Sequence, residues 1–217
     1  MTVAAATIIA DAHTILFDPD GTRWPATELV GYLDLAQLKI VEARPDQYAR
    51  VREVTLAPGY RQTLADDIYA LLDIPNNATG QFKRITKTDM VKLDMVLPGW
   101  RKRPATVEIV HFMHNLNEPR SFYVYPPAQA GSKVELLAAE YPPHLPAATG
   151  PKATSVTGNI VLGDKWRDAL FNFVMFKAYL KDAEYGGNPA LAAAYKDLFI
   201  QATGVELQTT TSNASPD

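Results

Sequence analysis

Residues 15–24, Ile-Leu-Phe-Asp-Pro-Asp-Gly-Thr-Arg-Trp, place two carboxylates two positions apart directly after an apolar run. Asp18 and Asp20, followed by Gly21 and Thr22, have the order that suits phosphoryl transfer: one aspartate attacks phosphorus and a second moves the proton. The same Asp-x-Asp-Gly string opens some oxygen-ligand calcium loops. His111 and His114, three apart in His-Phe-Met-His, are a second pair whose types could hold an ion. Whether any of these groups can act depends on the elements that carry them.

Before Asp18 the period is helical. Ile8, Ile9, Ala12, Ile15 and Leu16 recur at helix spacing, so a helix is expected over residues 3–17, stopped by Asp18-Pro19. A second helix starts near Pro25, whose missing N–H costs nothing in a first turn. It carries Leu29, Tyr32, Leu33, Ala36 and Ile40 and stops near Ala43, before Pro45. Residues 52–64 read as strand, Pro-Gly turn, strand. Residues 64–75 fit a short helix or a buried extended stretch. Residues 86–100 read as a helix with Thr88 as its cap and Met90, Leu93, Val96 and Leu97 at helical spacing. The runs around 105–115, 121–127 and 133–143 have strand composition and loops of hairpin length between them, which suggests a three-stranded antiparallel sheet. After a Pro/Gly/Thr-rich connection come two more helices. One spans 164–185 with Asp164 as its cap; Leu170, Phe173, Val174, Tyr179 and Leu180 are its apolar residues. The other runs from Asn188-Pro189 to Gly204.

The expected class is therefore α+β. A four-helix body, two helices from residues 1–48 and two from 160–204, carries an inserted antiparallel β subdomain over 50–145. The end, 205–217, is small and polar and reads as a flexible arm that orders on a partner.

That layout undercuts the chemistry. The phosphatase arrangement, that of the haloacid-dehalogenase-like enzymes, needs its paired aspartates at the end of a buried parallel strand in a doubly wound fold. Here a helix precedes them. Arg23-Trp24-Pro25 follow where that family favours an apolar residue, and the one Asp-Asp pair, Asp66-Asp67, lies too early for its late acidic motif. A calcium loop would need a glutamate at loop position twelve, where Leu29 stands. On a strand His111 and His114 point to opposite faces and cannot share an ion. The chain has no cysteine, no Gly-x-Ser-x-Gly and no phosphate loop. Asp18 and Asp20 then read as turn formers, and no catalysis, cofactor or metal is expected.

A formal charge of −3 gives no overall basic character. The basic stretch at 100–104 suits a solvated loop, an acidic neighbouring subunit or a nucleic-acid contact alike. No apolar run approaches the roughly 18 residues of a membrane span. The start lacks a basic region before its apolar residues and meets Asp11 early, so synthesis in the cytoplasm is expected. Aromatics are more telling. Trp166, Phe171, Phe173, Phe176 and Tyr179 cannot share one stripe, since 171 and 173 are about 200° apart on a helix. Such a helix is buried on more than one side, either within the helical body or at an oligomer interface.

Read together, the spaced residues resemble the bacteriophage head-to-tail adaptors (connectors), the group of tail tubular protein A-like gatekeepers. The resemblance begins at Trp24, Pro25, Glu28, Leu29, Ala36, Gln37, Ile40 and Pro45. It continues through Leu56, Pro58, Gly59, Gln62, Leu64, Asp67, Leu71, Leu72, Ile74 and Asn76, then Pro98, Trp100, Pro119 and residues 122–127. It ends with Ala169, Leu170, Lys181–Glu184, Asn188, Ala193, Tyr195, Phe199 and Gly204, while Ala65 stands where relatives often have proline. The resemblance implies a structural virion protein at the head–tail neck. It implies a homo-oligomeric ring, commonly twelvefold, between the portal protein and a tail or nozzle protein. Genomic DNA would pass through the channel without sequence-specific binding. It also implies that the arm, Val205, Glu206, Leu207, Gln208, Thr209 and Thr210, reaches into the portal. A ring needs two different adhesive faces on each copy, and the aromatics Trp166, Phe171, Phe173, Phe176 and Tyr179 are the candidates for one of them.

Overall fold

In the computed structural model, which describes residues 3–81, 83–182, 184 and 186–204, the helical period of the first forty residues becomes two helices. These are α1 (Ala5–Ile15) and α2 (Ala26–Ala43). The chain divides into two units, Met1–Arg44 with Pro142–Asp217, and Pro45–Tyr141. The first unit also holds α4 (Arg167–Lys181) and α5 (Asn188–Thr203). α4 is its hub and packs on α1, α2 and α5. Ile8, Ile9, Leu29, Leu33, Ile40, Leu170, Phe173 and Phe199 are fully buried there. The helices do not close a regular bundle, because residues 142–163 fill part of the unit's interior. Leu145, Val156, Ile160 and Leu162 are buried. The backbone N–H groups of Leu145 and Val161 reach Asp34 on α2 and the Oε1 of Gln37 on α2.

Helix ends differ from the expectation in two places. A 3-10 turn, Asp164–Trp166, precedes α4, so Asp164 sits three residues short of the α-helix, whose cap position is Trp166. Asn188 is the first residue of α5 instead of its cap, and its side-chain amide donates to the Asp182 carbonyl at 3.0 Å. Gly204 closes α5 in the left-handed conformation, φ 71°, that glycine adopts without steric cost.

The second unit carries β1 (Ala49–Thr55), β2 (Gly59–Thr63), β3 (Ile68–Asn77), β4 (Thr86–Lys87), α3 (Met90–Val96), β5 (His111–His114), β6 (Ser121–Ala128) and β7 (Lys133–Glu140). The ambiguous stretch 64–75 is mostly the extended strand β3. The last three strands do not form one sheet. β6 has both edges occupied, by β2 and β5, so β7 leaves it and inserts between β1 and β3. The result is an antiparallel sheet β1-β7-β3 and a sheet β2-β6-β5-β4 in which only β4 runs parallel to its neighbour. Ile74, Phe112, Phe122, Val124, Val134 and Leu136 form the core of this unit.

The Pro-Gly turn sends β1 and β2 to different sheets. Gln62, almost fully buried, holds it: its amide accepts from the Ala57 N–H at 2.7 Å and donates to the Ala57 carbonyl at 2.8 Å. Asp89, not Thr88, caps α3. Its carboxylate accepts from the N–H groups of Val91 and Lys92, while the Thr88 N–H is spent on the Phe112 carbonyl beside β5.

Candidate assembly surfaces

The turn that suggested catalysis is a structural joint of the helical unit. Asp18 Oδ1 accepts from the Thr22 N–H at 2.9 Å, and Oδ2 accepts from Arg23 and Trp24, both at 2.8 Å. Asp20 points elsewhere and pairs with Lys152 at 2.7 Å. The two carboxylates therefore do not converge on a substrate position. Trp24 donates its indole N–H to the Ala178 carbonyl at 3.1 Å, and His13 Nε2–H donates to the Trp24 carbonyl at 2.8 Å. Arg23 pairs with Asp182 beyond the end of α4, and Lys181 reaches Glu28 at 2.5 Å. Gly21 takes φ 64° against the Pro151 carbonyl oxygen, which would collide with any Cβ at this position.

Desolvation raises the Asp18 pKa, but the N–H groups of Trp24, Thr22 and Arg23, helped by the nearby His13, outweigh it and hold the carboxyl below its ordinary range. A pKa lowered by folding stabilises the fold at neutral pH. That contribution is lost as the pH falls through the folded value, below the ordinary aspartate range. Asp18→Ala should cost about 1–2 kcal/mol, the loss of a carboxylate that satisfies three N–H groups of the turn. Thermal melts of variant and wild type should differ at pH 7 and converge in acid. An equal gap at both pH values would contradict this role.

His111 and His114 lie at the two ends of β5, three residues apart along the strand and so on opposite faces. His111 stacks on Tyr125, and His114 Nε2 lies 3.4 Å from the Pro119 carbonyl. The basic stretch at 100–104 is only half basic surface. Trp100 is fully buried, and Arg101 lies over its ring while pairing with Asp94 at 2.5 Å. Lys102 and Arg103 are exposed.

The α4 aromatics divide in two. Trp166 and Phe173 are buried inside their own unit, Phe173 against Phe199 and Phe176, so their apolar area is already spent within one copy. Phe171, Phe176 and Tyr179 are half-buried. Tyr195 of α5 meets Phe171 edge-on and stacks on Tyr179 with centroids 5.7 Å apart, which makes a strip across α4 and α5. The arm residues Val205–Thr210 lie outside the described residues.

Among the exposed apolar side chains that the periodicity did not single out as surface, the most exposed include Phe17, Val91, Met95, Val96 and Leu116. For Val91, Met95 and Val96 the signal was present: α3 has apolar residues on both its faces, which an isolated surface helix does not need.

The family model for the SU10 adaptor protein matches residues 1–217. The chain belongs to the SU10 adaptor protein family. This agrees with the head-to-tail adaptor resemblance carried by Trp24, Pro25 and the residues after them. No curated protein matches the chain. Several positions of that resemblance have structural tasks in the adaptor. Trp24 and Asp182 anchor the α1–α2 joint, Gln62 holds the β1–β2 turn, and Gly204 ends α5. Among the described residues no helix is long and apolar enough to cross a membrane.

Proposed function

We propose that this adaptor is a structural, non-enzymatic virion protein of the bacteriophage neck. Copies form a ring, twelvefold in this proposal, that joins the portal protein to a tail or nozzle protein and continues the DNA channel. DNA passes without sequence-specific contacts. The observation that carries this reading is the family match over the whole chain. The half-buried strip of Phe171, Tyr179 and Tyr195 supports it, since a ring needs adhesive surface left over after the copy has folded. In the same reading Phe176 borders that face, and residues 205–210 attach the ring to the portal.

Light scattering of the purified adaptor, alone and with purified portal rings, tests the proposal. The expected result is a discrete ring mass, or a portal–adaptor complex of fixed stoichiometry. An adaptor that stays monomeric in both samples would contradict it.

A further inference from the structure

Phe17 follows the last turn of α1 in the left-handed position that helices with this end usually give to glycine. Its N–H donates to the Thr14 carbonyl at 3.3 Å and the Asp18 N–H donates to the His13 carbonyl at 3.0 Å, the bond pair of a Schellman end. Its φ is 54°, strained for a bulky side chain, and that side chain is 93% exposed. Phenylalanine here gains nothing within its own copy that glycine would not supply more cheaply. The surroundings are acidic. Asp18 spends its oxygens on backbone N–H groups and has no Lys or Arg partner among the described residues. Asp168, also without a cationic partner among them, lines a cleft with the partly exposed Ile15.

The β-rich unit has the complementary feature. A cleft of about 790 Å³ lies between α3 and the β5–β6 loop, with Val91 (66% exposed) and Leu116 (85% exposed) among its walls. The outer face of α3 adds Met95 and Val96. Asp89 is occupied as the α3 cap and Asp94 by Arg101 and Trp100. Lys87 and Lys92, which line the same cleft, have no carboxylate partner among the described residues. Lys87 and Lys92 outweigh the capping Asp89, so the cleft combines apolar walls, Met90, Val91 and Leu116 among polar ones, with a surplus of positive charge, whereas the Phe17 knob is apolar with surplus negative charge.

We infer that Phe17 of one copy docks into the α3 cleft of the next, with Asp18 and Asp168 meeting Lys87 and Lys92. Charge pairing of this kind steers encounter and fixes register, while the buried aromatic supplies most of the affinity. Knob and cleft are different surfaces, so the contact is head-to-tail and closes only as a ring or runs on as a filament. The inference rests on the ring reading proposed above and gives that ring one of its two faces a partner.

The chain contains no cysteine, which makes cross-linking decisive. The full-length Phe17→Cys/Leu116→Cys variant, oxidised where the wild type is assembled, should give a ladder of covalent oligomers. Either single variant should give dimers at most. Phe17→Ala and Leu116→Asp change exposed side chains and should fold as the wild type by circular dichroism. Each should weaken self-association on the order of 30-fold. Mixed together they should form a dimer and nothing larger, since only one intact knob–cleft pair remains per pair of copies. A wild type that forms rings while the double variant gives no ladder overturns this inference alone. A wild type that stays monomeric, alone and with portal, overturns the ring and this contact together.

Discussion

Trp24→Ala should destabilise the helical unit by about 3–5 kcal/mol, the cost of emptying a buried indole site. Trp24 is 9% exposed and sits at the centre of the α1–α2 joint. Its backbone N–H donates to Asp18, its carbonyl accepts from His13, and its indole N–H donates to Ala178 on α4. Truncation keeps the two backbone bonds but removes the packing and the indole bond to the Ala178 carbonyl. For a chain of this size the melting temperature should fall by roughly 10 °C. Trp24→Phe should lose less, since it keeps most of the apolar area. Lys152→Ala, which breaks only the exposed pair with Asp20, should shift the melt by less than about 1 kcal/mol. Equal melts for Trp24→Ala and Lys152→Ala would show that the joint does not depend on the indole.

Deleting residues 205–217 should leave the fold intact and remove portal attachment. α5 is already closed at Gly204, whose N–H donates to the Ile200 carbonyl at 2.7 Å, so the deletion begins beyond the helix's own end. An arm that orders on its partner spends binding energy on that ordering yet gains a long contact. Its loss should weaken co-sedimentation with purified portal on the order of 100-fold, with an unchanged melting temperature. Unchanged attachment would remove the arm from the account. A lowered melting temperature would mean that the segment belongs to the folded unit instead.

The helices were legible because each has its own amphipathic period and a chemical stop. Asp18-Pro19 lies just beyond α1, which closes two residues earlier than expected at Ile15 with Phe17 in the left-handed position; Pro45 lies just beyond α2, and Gly204 ends α5. The strand partners were only partly legible: β5 and β6 pair antiparallel as expected, but the place of β7 could not be read. Neighbouring runs at 121–128 and 133–140 look like a hairpin, yet β6 is already paired on both edges by strands that are distant or earlier in the chain. Local composition does not encode which edge is free. Asn77 was equally hidden. It is a buried amide that donates to the Lys83 and Ile109 carbonyls and accepts from the Ile109 N–H, partners that only the fold brings together.

The candidate surfaces divide the same way. That α4 is apolar on several sides could be read from residue spacing. That Trp166 and Phe173 serve one copy while Phe171 and Tyr179 remain half-open needs the position of α5. Phe17 was passed over because an apolar residue at the end of an apolar helix looks like core. Only its left-handed backbone and its exposure separate it from Leu16, its buried neighbour. Asp18 drew attention as a nucleophile, and its surroundings show a turn brace: three N–H groups of the turn on one carboxylate, while Asp20 pairs with Lys152 instead.

The central claim, that this adaptor forms the ring between portal and tail, is tested most directly by imaging virions whose adaptor carries a label. The account predicts label density in a closed ring at the head–tail neck. Label found elsewhere in the particle, or particles without the protein, would contradict it.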